Sequence, residues 1–154
     1  MRNYLKAYAK FGIDLQASSD PENWVGACPF PDCGKDFHFS VGKENGAYRC
    51  FRCGKTGNLY TFLREWHSLC LSQTTPGHYK SLWKLRGIHP RTLAKFQLAW
   101  DKTNRCWLIP IHKLNEHGKN VLVNLKQWRQ DAEGKSEFHG TPTCSSSLFN
   151  QPAL

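Results

Sequence analysis

Four cysteines constrain this chain more than any other feature. Cys28 and Cys33, then Cys50 and Cys53, form C-x4-C, a sixteen-residue gap and C-x2-C, and each pair ends in Cys-Gly-Lys. Two such pairs suit one tetrahedral zinc ion held between two knuckles. In a knuckle the residue after the second cysteine must tolerate positive φ, so that backbone amides turn toward the sulfur. Gly34 and Gly54 stand at those positions and carry no Cβ to oppose it. Four thiolates leave no coordination position for water, so the expected zinc is structural. His38 is an alternative to Cys33 as third ligand; the repeated Cys-Gly-Lys favours the cysteine.

The other cysteines, Cys70, Cys106 and Cys144, are scattered and read as buried, inert thiols. An odd total of seven, four of them in metal spacing, points to a reducing compartment rather than a disulfide framework. The N-terminal MRNYLKAYAKFGIDL has no continuous apolar core or small-residue cleavage site, and no run has membrane-spanning length. We therefore expect no signal peptide and no membrane association. The net charge of +9 is uneven: residues 1–77 hold nine Lys/Arg against seven Asp/Glu, residues 78–154 twelve against five. A basic chain with 13% aromatic residues suits a polyanionic partner, although a solvated basic face has the same composition.

Local patterns suggest an α+β chain in two parts, 1–75 and 78–154. Tyr4, Leu5, Tyr8 and Phe11 have helical spacing, and Gly12 stops that helix. ASSDPEN at 17–23 is a turn, and Trp24-Val25 leads into the first knuckle. Phe37, Phe39 and Val41 alternate with polar or small residues as a strand. Asn45-Gly46 signals a two-residue hairpin, and Ala47 to Cys50 returns as the partner strand. The metal then clamps the base of a small antiparallel sheet, a zinc ribbon. Leu59, Phe62, Leu63, Trp66 and Leu69 form the apolar stripe of a following helix. SQTTPG at 72–77 is the expected linker. Beyond it come a helix ended by Gly87, a short helix opened by Pro90, and strands at 98–101, 105–112 and 120–129. NEHGK at 115–119 joins the last two strands as a hairpin, and the residues from Gln130 onward read as polar and turn-rich.

Several side chains suit a nucleic-acid surface. His38, Lys43 and Arg49 should point away from the apolar face, while Arg52 and Lys55 ride on the second knuckle. Phe51 or Tyr48 could stack on a base, or either could be core. In the second part Lys126, Arg129 and Lys135 could contact phosphates, or could form a solvated basic edge. Trp107 and Trp128 read as packing residues. There is no P-loop, no nucleophile–base constellation and no clustered carboxylates for catalytic magnesium.

Residues 28–66, CPFPDCGKDFHFSVGKENGAYRCFRCGKTGNLYTFLREW, resemble the zinc-binding domain of bacterial and phage-type DNA primases. The shared features are CPF at the first ligand, a short F-x-V strand, an aromatic before the CF-x-CG knuckle, and G-N-x-x-x-F-L opening the helix. That family often has a histidine as second ligand where this chain has Pro31, and Cys33 takes over as in four-cysteine variants. More weakly, LWKLRGIHPRTLAKFQLAWD and WLIPIHKLNEHGKNVLVNLKQWR are similar to the start of the primase RNA-polymerase region, and Lys135 and SLFNQPAL to the approach to its Toprim fold.

The resemblance implies that residues 1–75 bind single-stranded DNA template and that 78–154 form the basic N-terminal subdomain of the polymerase region. The family's magnesium-binding glutamate and aspartates have no counterpart here. The chain is then an N-terminal piece of a primase or one subunit of a split primase, inactive alone, working in the cytoplasm of a bacterial or phage-infected cell. A replicative helicase or a separate polymerase core would be its protein partner. The alternatives are a ribbon adaptor that docks such a protein and a DNA-binding regulator of a mobile element.

Overall fold

A computed structural model describes residues 3–31, 33 and 37–145 of the chain. The described residues form an α+β protein with four helices and two antiparallel sheets. Contacts divide it into two compact units, 1–62 and 63–154.

The first unit opens with helix α1, Tyr4–Ala9, capped by Asn3, whose Oδ1 accepts the Lys6 N–H at 3.0 Å. Its buried stripe is Tyr4, Ala7 and Tyr8, continued by Phe11. The chain then leaves the helix through Gly12 at φ +76°. A five-stranded sheet follows in sequence order: β1 Leu15–Ala17, β2 Asn23–Gly26, β3 Phe39–Gly42, β4 Tyr48–Cys50 and β5 Thr56–Gly57. Its inner face carries Phe39, Val41 and Tyr48, all but fully buried. Tyr8 and Phe62 meet there at a 5.0 Å ring separation, with Phe39 stacked on Tyr48 at 5.3 Å and Phe11 edge-on to Phe62 at 5.4 Å. Such aromatic pairs add about 0.5–1.5 kcal/mol each beyond area burial.

Three local expectations are corrected. Residues 15–17 and 23–26 are strands: Gln16 pairs with Val25, and Trp24 with Val41. What read as one long turn is a link between them, folded by Asp20, whose carboxylate accepts from the Glu22 N–H and the Asn23 amide. Phe37 is 59% exposed and precedes β3, so the alternating run begins at Phe39. The β3–β4 hairpin has a four-residue loop, Lys43 to Gly46, closed by Gly42 N–H to Ala47 O at 2.9 Å. Only Gly46 takes positive φ, +66°, and Asn45 instead accepts the Ala47 N–H through its side chain. The buried Tyr8 hydroxyl donates to the Gly46 carbonyl at 2.9 Å, and a Cβ on Gly46 would fall 2.2 Å from Tyr4 Cδ1.

Helix α2, Leu59–Gln73, starts where Asn58 Oδ1 accepts the Thr61 N–H. Its buried face runs through Leu59, Phe62, Leu63 and Trp66 to His67 and Cys70. Leu69 lies beside that face, half-buried. The stretch expected as a linker is mostly helical: α2 extends to Gln73, and Thr75 caps α3, Pro76–Arg86, in a capping box with His78. The division between units falls earlier, within α2. Gly87 ends α3 at φ +71°, and His89 caps the short α4, Pro90–Lys95.

The second unit's sheet runs β6 Ala99–Asp101, β7 Cys106–Leu114, β8 Asn120–Gln130 and β9 Ser136–Gly140, again in sequence order. The strand β9 falls in the segment read as turn-rich: Phe138 opposite Trp128 and Glu137 opposite Arg129 give it the pairing its composition conceals. The end of the chain, SLFNQPAL, lies outside the described residues. Leu82 and Leu93 pack with Trp107, while Leu108, Ile111 and Leu125 are fully buried. Asp101, also fully buried, accepts four hydrogen bonds: from Trp66 Nε1, Asn104 Nδ2, and the N–H groups of Thr103 and Asn104. It thereby fixes the β6–β7 turn, where Arg105 sits at φ +52°.

Candidate metal centre

The hairpin of β3 and β4 ends at Cys50, opposite Phe39, so the ladder delivers this cysteine to the base of the sheet. The next turn folds back at once. Cys50 N–H donates to Lys55 O at 2.8 Å, and Gly54 N–H donates to Cys50 O at 3.0 Å with Gly54 at φ +75°. The positive φ that the glycine was expected to supply is therefore present in the second knuckle; Gly34 of the first lies outside the described residues. The turn aims the N–H groups of Arg52 and Cys53 at the Cys50 sulfur. In the first knuckle the Phe30 N–H points at Cys28 Sγ.

Electrostatics follow from this. Burial works against a Cys50 thiolate, but those two amides and the sulfur contacts from Cys33 and Cys53 outweigh it, lowering the thiol to about 7. Burial first, then the crowding of neighbouring sulfurs, pushes Cys28 and Cys33 up. Four thiols so placed share a cation far better than they ionise alone.

The four sulfurs all lie within 4.8 Å of one another, with Cys33–Cys50 at 3.3 Å and Cys28–Cys53 at 3.9 Å. A tetrahedron with Zn–S bonds of about 2.3 Å has edges of roughly 3.8 Å. An all-sulfur tetrahedral set is the donor chemistry of structural zinc. The fit is good: the four cysteines are positioned to bind one zinc ion, which would tether the two knuckles and close the sheet. His38 is no part of the cluster: it is exposed, and its carbonyl accepts the Phe51 N–H at 2.9 Å, one pair beyond the ladder. Three of the sulfurs are buried and Cys53 is exposed.

Around this centre the structure sorts the other expected residues. Phe51 is 67% exposed, and the Arg49 guanidinium lies 5.1 Å from its ring centre. Arg52 is exposed on the same turn, and Lys55 holds its ammonium 4.8 Å from the Phe30 ring. Tyr48, offered as a stacking surface, is 1% exposed and belongs to the core, because it pairs with Val41 on the inner face. Lys43 belongs elsewhere: half-buried in the hairpin loop, it donates to the Pro21 carbonyl and lies 6.0 Å from the Trp24 ring. The loop is at the opposite end of β3 and β4 from the knuckle, so Lys43 is not brought to the Arg49–Phe51 cluster.

In the second unit Arg129 makes a 2.6 Å ion pair with Glu137, its cross-strand partner. That pair holds the Glu137 carboxyl below its usual range and the guanidinium above its own. Lys126 lies 5.1 Å from the Phe138 ring, and Lys135 is exposed before β9. Burial, the first cause, pushes Cys70, Cys106 and Cys144 up to about 12; Cys70 and Cys106 are buried as expected, whereas Cys144 is half-buried. The sequence reading missed the role of Trp100, whose register beside Trp107 and Trp128 becomes visible only once strand pairing is known.

A short sheet whose end is stapled by paired cysteine knuckles defines the first unit as a zinc ribbon. Residues 10–77, fewer than half of the chain, match the family model of the CHC2 zinc finger, the zinc ribbon of DnaG-type primases. The chain is 37% identical over 65 residues to the DNA primase of Listeria monocytogenes serovar 1/2a, which is 42% of this chain and 10% of that protein. It is 40% identical over 48 residues to the DNA primase of Lactococcus lactis subsp. lactis, 31% of this chain and 7% of that protein. These alignments span about a tenth or less of the relatives' length. The Aquifex aeolicus primase structure (zinc-binding and RNA polymerase domains) aligns with 90% of this chain and 52% of its own, at 14% identity and a TM-score of 0.34. No described helix is long and apolar enough to cross a membrane.

Proposed function

We propose that this chain binds single-stranded DNA template for primer synthesis, as the N-terminal part of a DNA primase or as a split primase subunit, in the cytoplasm of a bacterial or phage-infected cell. The observation that carries the reading is Phe51. It is an exposed ring between two zinc ligands, with Arg49 against it and Arg52 and Lys55 on the same turn. A largely exposed aromatic between two metal ligands offers a base a stacking face. The adjacent cations suit the backbone phosphates. The primase relatives of the ribbon support the same direction. Magnesium and the acidic residues that hold it would belong to a catalytic domain outside this chain's motifs.

The test is binding of a fluorescent oligonucleotide as salt is varied. If Arg49, Arg52 and Lys55 each meet one phosphate, the slope of log K against log salt is about −2 for a single strand, roughly a 20-fold loss between 50 and 200 mM. The triple substitution R49Q/R52Q/K55Q should remove most of that slope while keeping zinc. An unchanged slope overturns the reading.

A second reading, an adaptor docking a replicative helicase or polymerase core, draws on the same exposed Phe51. Loss of that partner in F51A with oligonucleotide affinity intact would favour it.

A further inference from the structure

The second unit has an open groove of about 680 Å³ that the ribbon-based reading leaves unused. Strand register builds one of its walls. Trp100 lies opposite Trp107, Trp107 opposite Trp128, and Trp128 opposite Phe138, so one aromatic row crosses all four strands on a single face. Trp107 is buried beneath Leu82 and Leu93, whereas Trp100 and Trp128 are half-buried and line the groove. The rim carries Arg105 and Asn104 from the Asp101-anchored turn and Arg129 from β8, the last already paired with Glu137. The Arg86 guanidinium stands 5.4 Å from the Trp128 ring. Among the described residues no acidic side chain lines the groove.

The volume lies within the roughly 300–1,000 Å³ usual for small-ligand sites. Indole faces attract a planar heterocycle, cations at the rim attract an anion, and the lining offers no carboxylate to repel one. One chemical unit meets all three conditions. We propose that this groove takes a single nucleotide unit, its base against Trp100 or Trp128 and its phosphate at Arg105. The inference deepens the proposed binding of unpaired DNA and rests on that reading for the source of the nucleotide.

Photo-crosslinking of the zinc-loaded full chain tests it. One arm uses an oligothymidylate carrying 5-iododeoxyuridine, the other free 5-iodouridine triphosphate, and adducts are mapped by peptide mass spectrometry. Adducts on Trp100 or Trp128 are expected. Formation with the oligonucleotide assigns the unit to a strand, whereas formation with the triphosphate alone assigns it to a free nucleotide. Arg105→Asn keeps a residue that tolerates positive φ while removing the cation. It should flatten the oligonucleotide salt slope by about 0.7. Trp128→Leu should weaken binding about 5- to 150-fold, the range for losing one stacked base. If W128L does not fold, R105N and the wild-type adduct map decide. Adducts at Phe51 with none in the groove from either probe, together with an unchanged R105N slope, overturn this inference and leave the ribbon reading standing. Adducts confined to the groove, with R49Q/R52Q/K55Q binding normally, sustain the groove and sink the ribbon reading.

Discussion

Asp101→Asn tests how the second unit holds its turn. Asp101 is fully buried, and each carboxylate oxygen takes two donors: Oδ1 the N–H groups of Thr103 and Asn104, Oδ2 the indole N–H of Trp66 and the Asn104 amide. An asparagine must present its NH2 to one of these pairs. Facing the Oδ2 pair is the less costly choice, because the Asn104 amide can turn over and offer its oxygen. Trp66 can only donate, so its N–H is left unpaired in the interior at about 1–3 kcal/mol. The remaining bonds lose their charge assistance, which brings the whole to about 2–4 kcal/mol. In a Trp66→Phe background there is no indole donor to strand. D101N should then cost about 1–2 kcal/mol less than in the wild type, a coupling that a double-mutant cycle reads directly. Urea unfolding of the zinc-loaded chain, followed by circular dichroism for all four proteins, gives the numbers. Additivity within about 0.5 kcal/mol, or a D101N cost below about 1 kcal/mol, would refute the reasoning.

Further outcomes follow from the geometry. A strong chelator should release about one zinc per chain and unfold the ribbon sheet together, because site and fold are coupled; full release with an unchanged spectrum would count against the structural role. Gly46→Ala should cost about 1–2 kcal/mol for its left-handed backbone, plus a clash with the Tyr4 ring. Gly118→Ala has the same sign of φ but open space around it, so only the backbone cost applies, and equal losses in both would contradict the clash. Burial lowers the His67 pKa below its ordinary 6.5, outweighing the hydrogen bond that its Nε2–H donates to Gln97 O at 2.8 Å. The unfolded chain therefore takes the proton first. The stability His67 supplies is complete above about pH 6.5 and is lost as pH falls below it. Relative to His67→Gln, the wild-type advantage in urea should shrink between pH 7.5 and 5; a constant difference would refute this.

The metal centre was legible because cysteine spacing and a following glycine are local, and chemistry leaves few other uses for them. The main helix was legible too, since Leu59, Phe62, Leu63 and Trp66 repeat at helical spacing and bury together. The short strands were not. Leu15–Ala17 has only three residues, and Ser136–Gly140 is largely exposed, so neither carries an alternating pattern; both exist because a neighbouring strand offers its edge. Side-chain direction failed at Lys43 for a related reason. The reading extended β3 through a tight two-residue turn, whereas a four-residue loop carries the lysine back over Trp24. Arg129 could not be known to face Glu137 until β9 was seen to pair with β8.

Tyr8 has a practical consequence. Its ring touches Phe39 and Phe62, and its hydroxyl holds the hairpin loop, yet it precedes residue 10, where the family match begins. An excised module trimmed to that match would lose a keystone and leave an aromatic-sized hole under the sheet. Domain dissection of this chain should therefore keep everything from Asn3, and a fragment begun later that misbehaves would say nothing about the zinc.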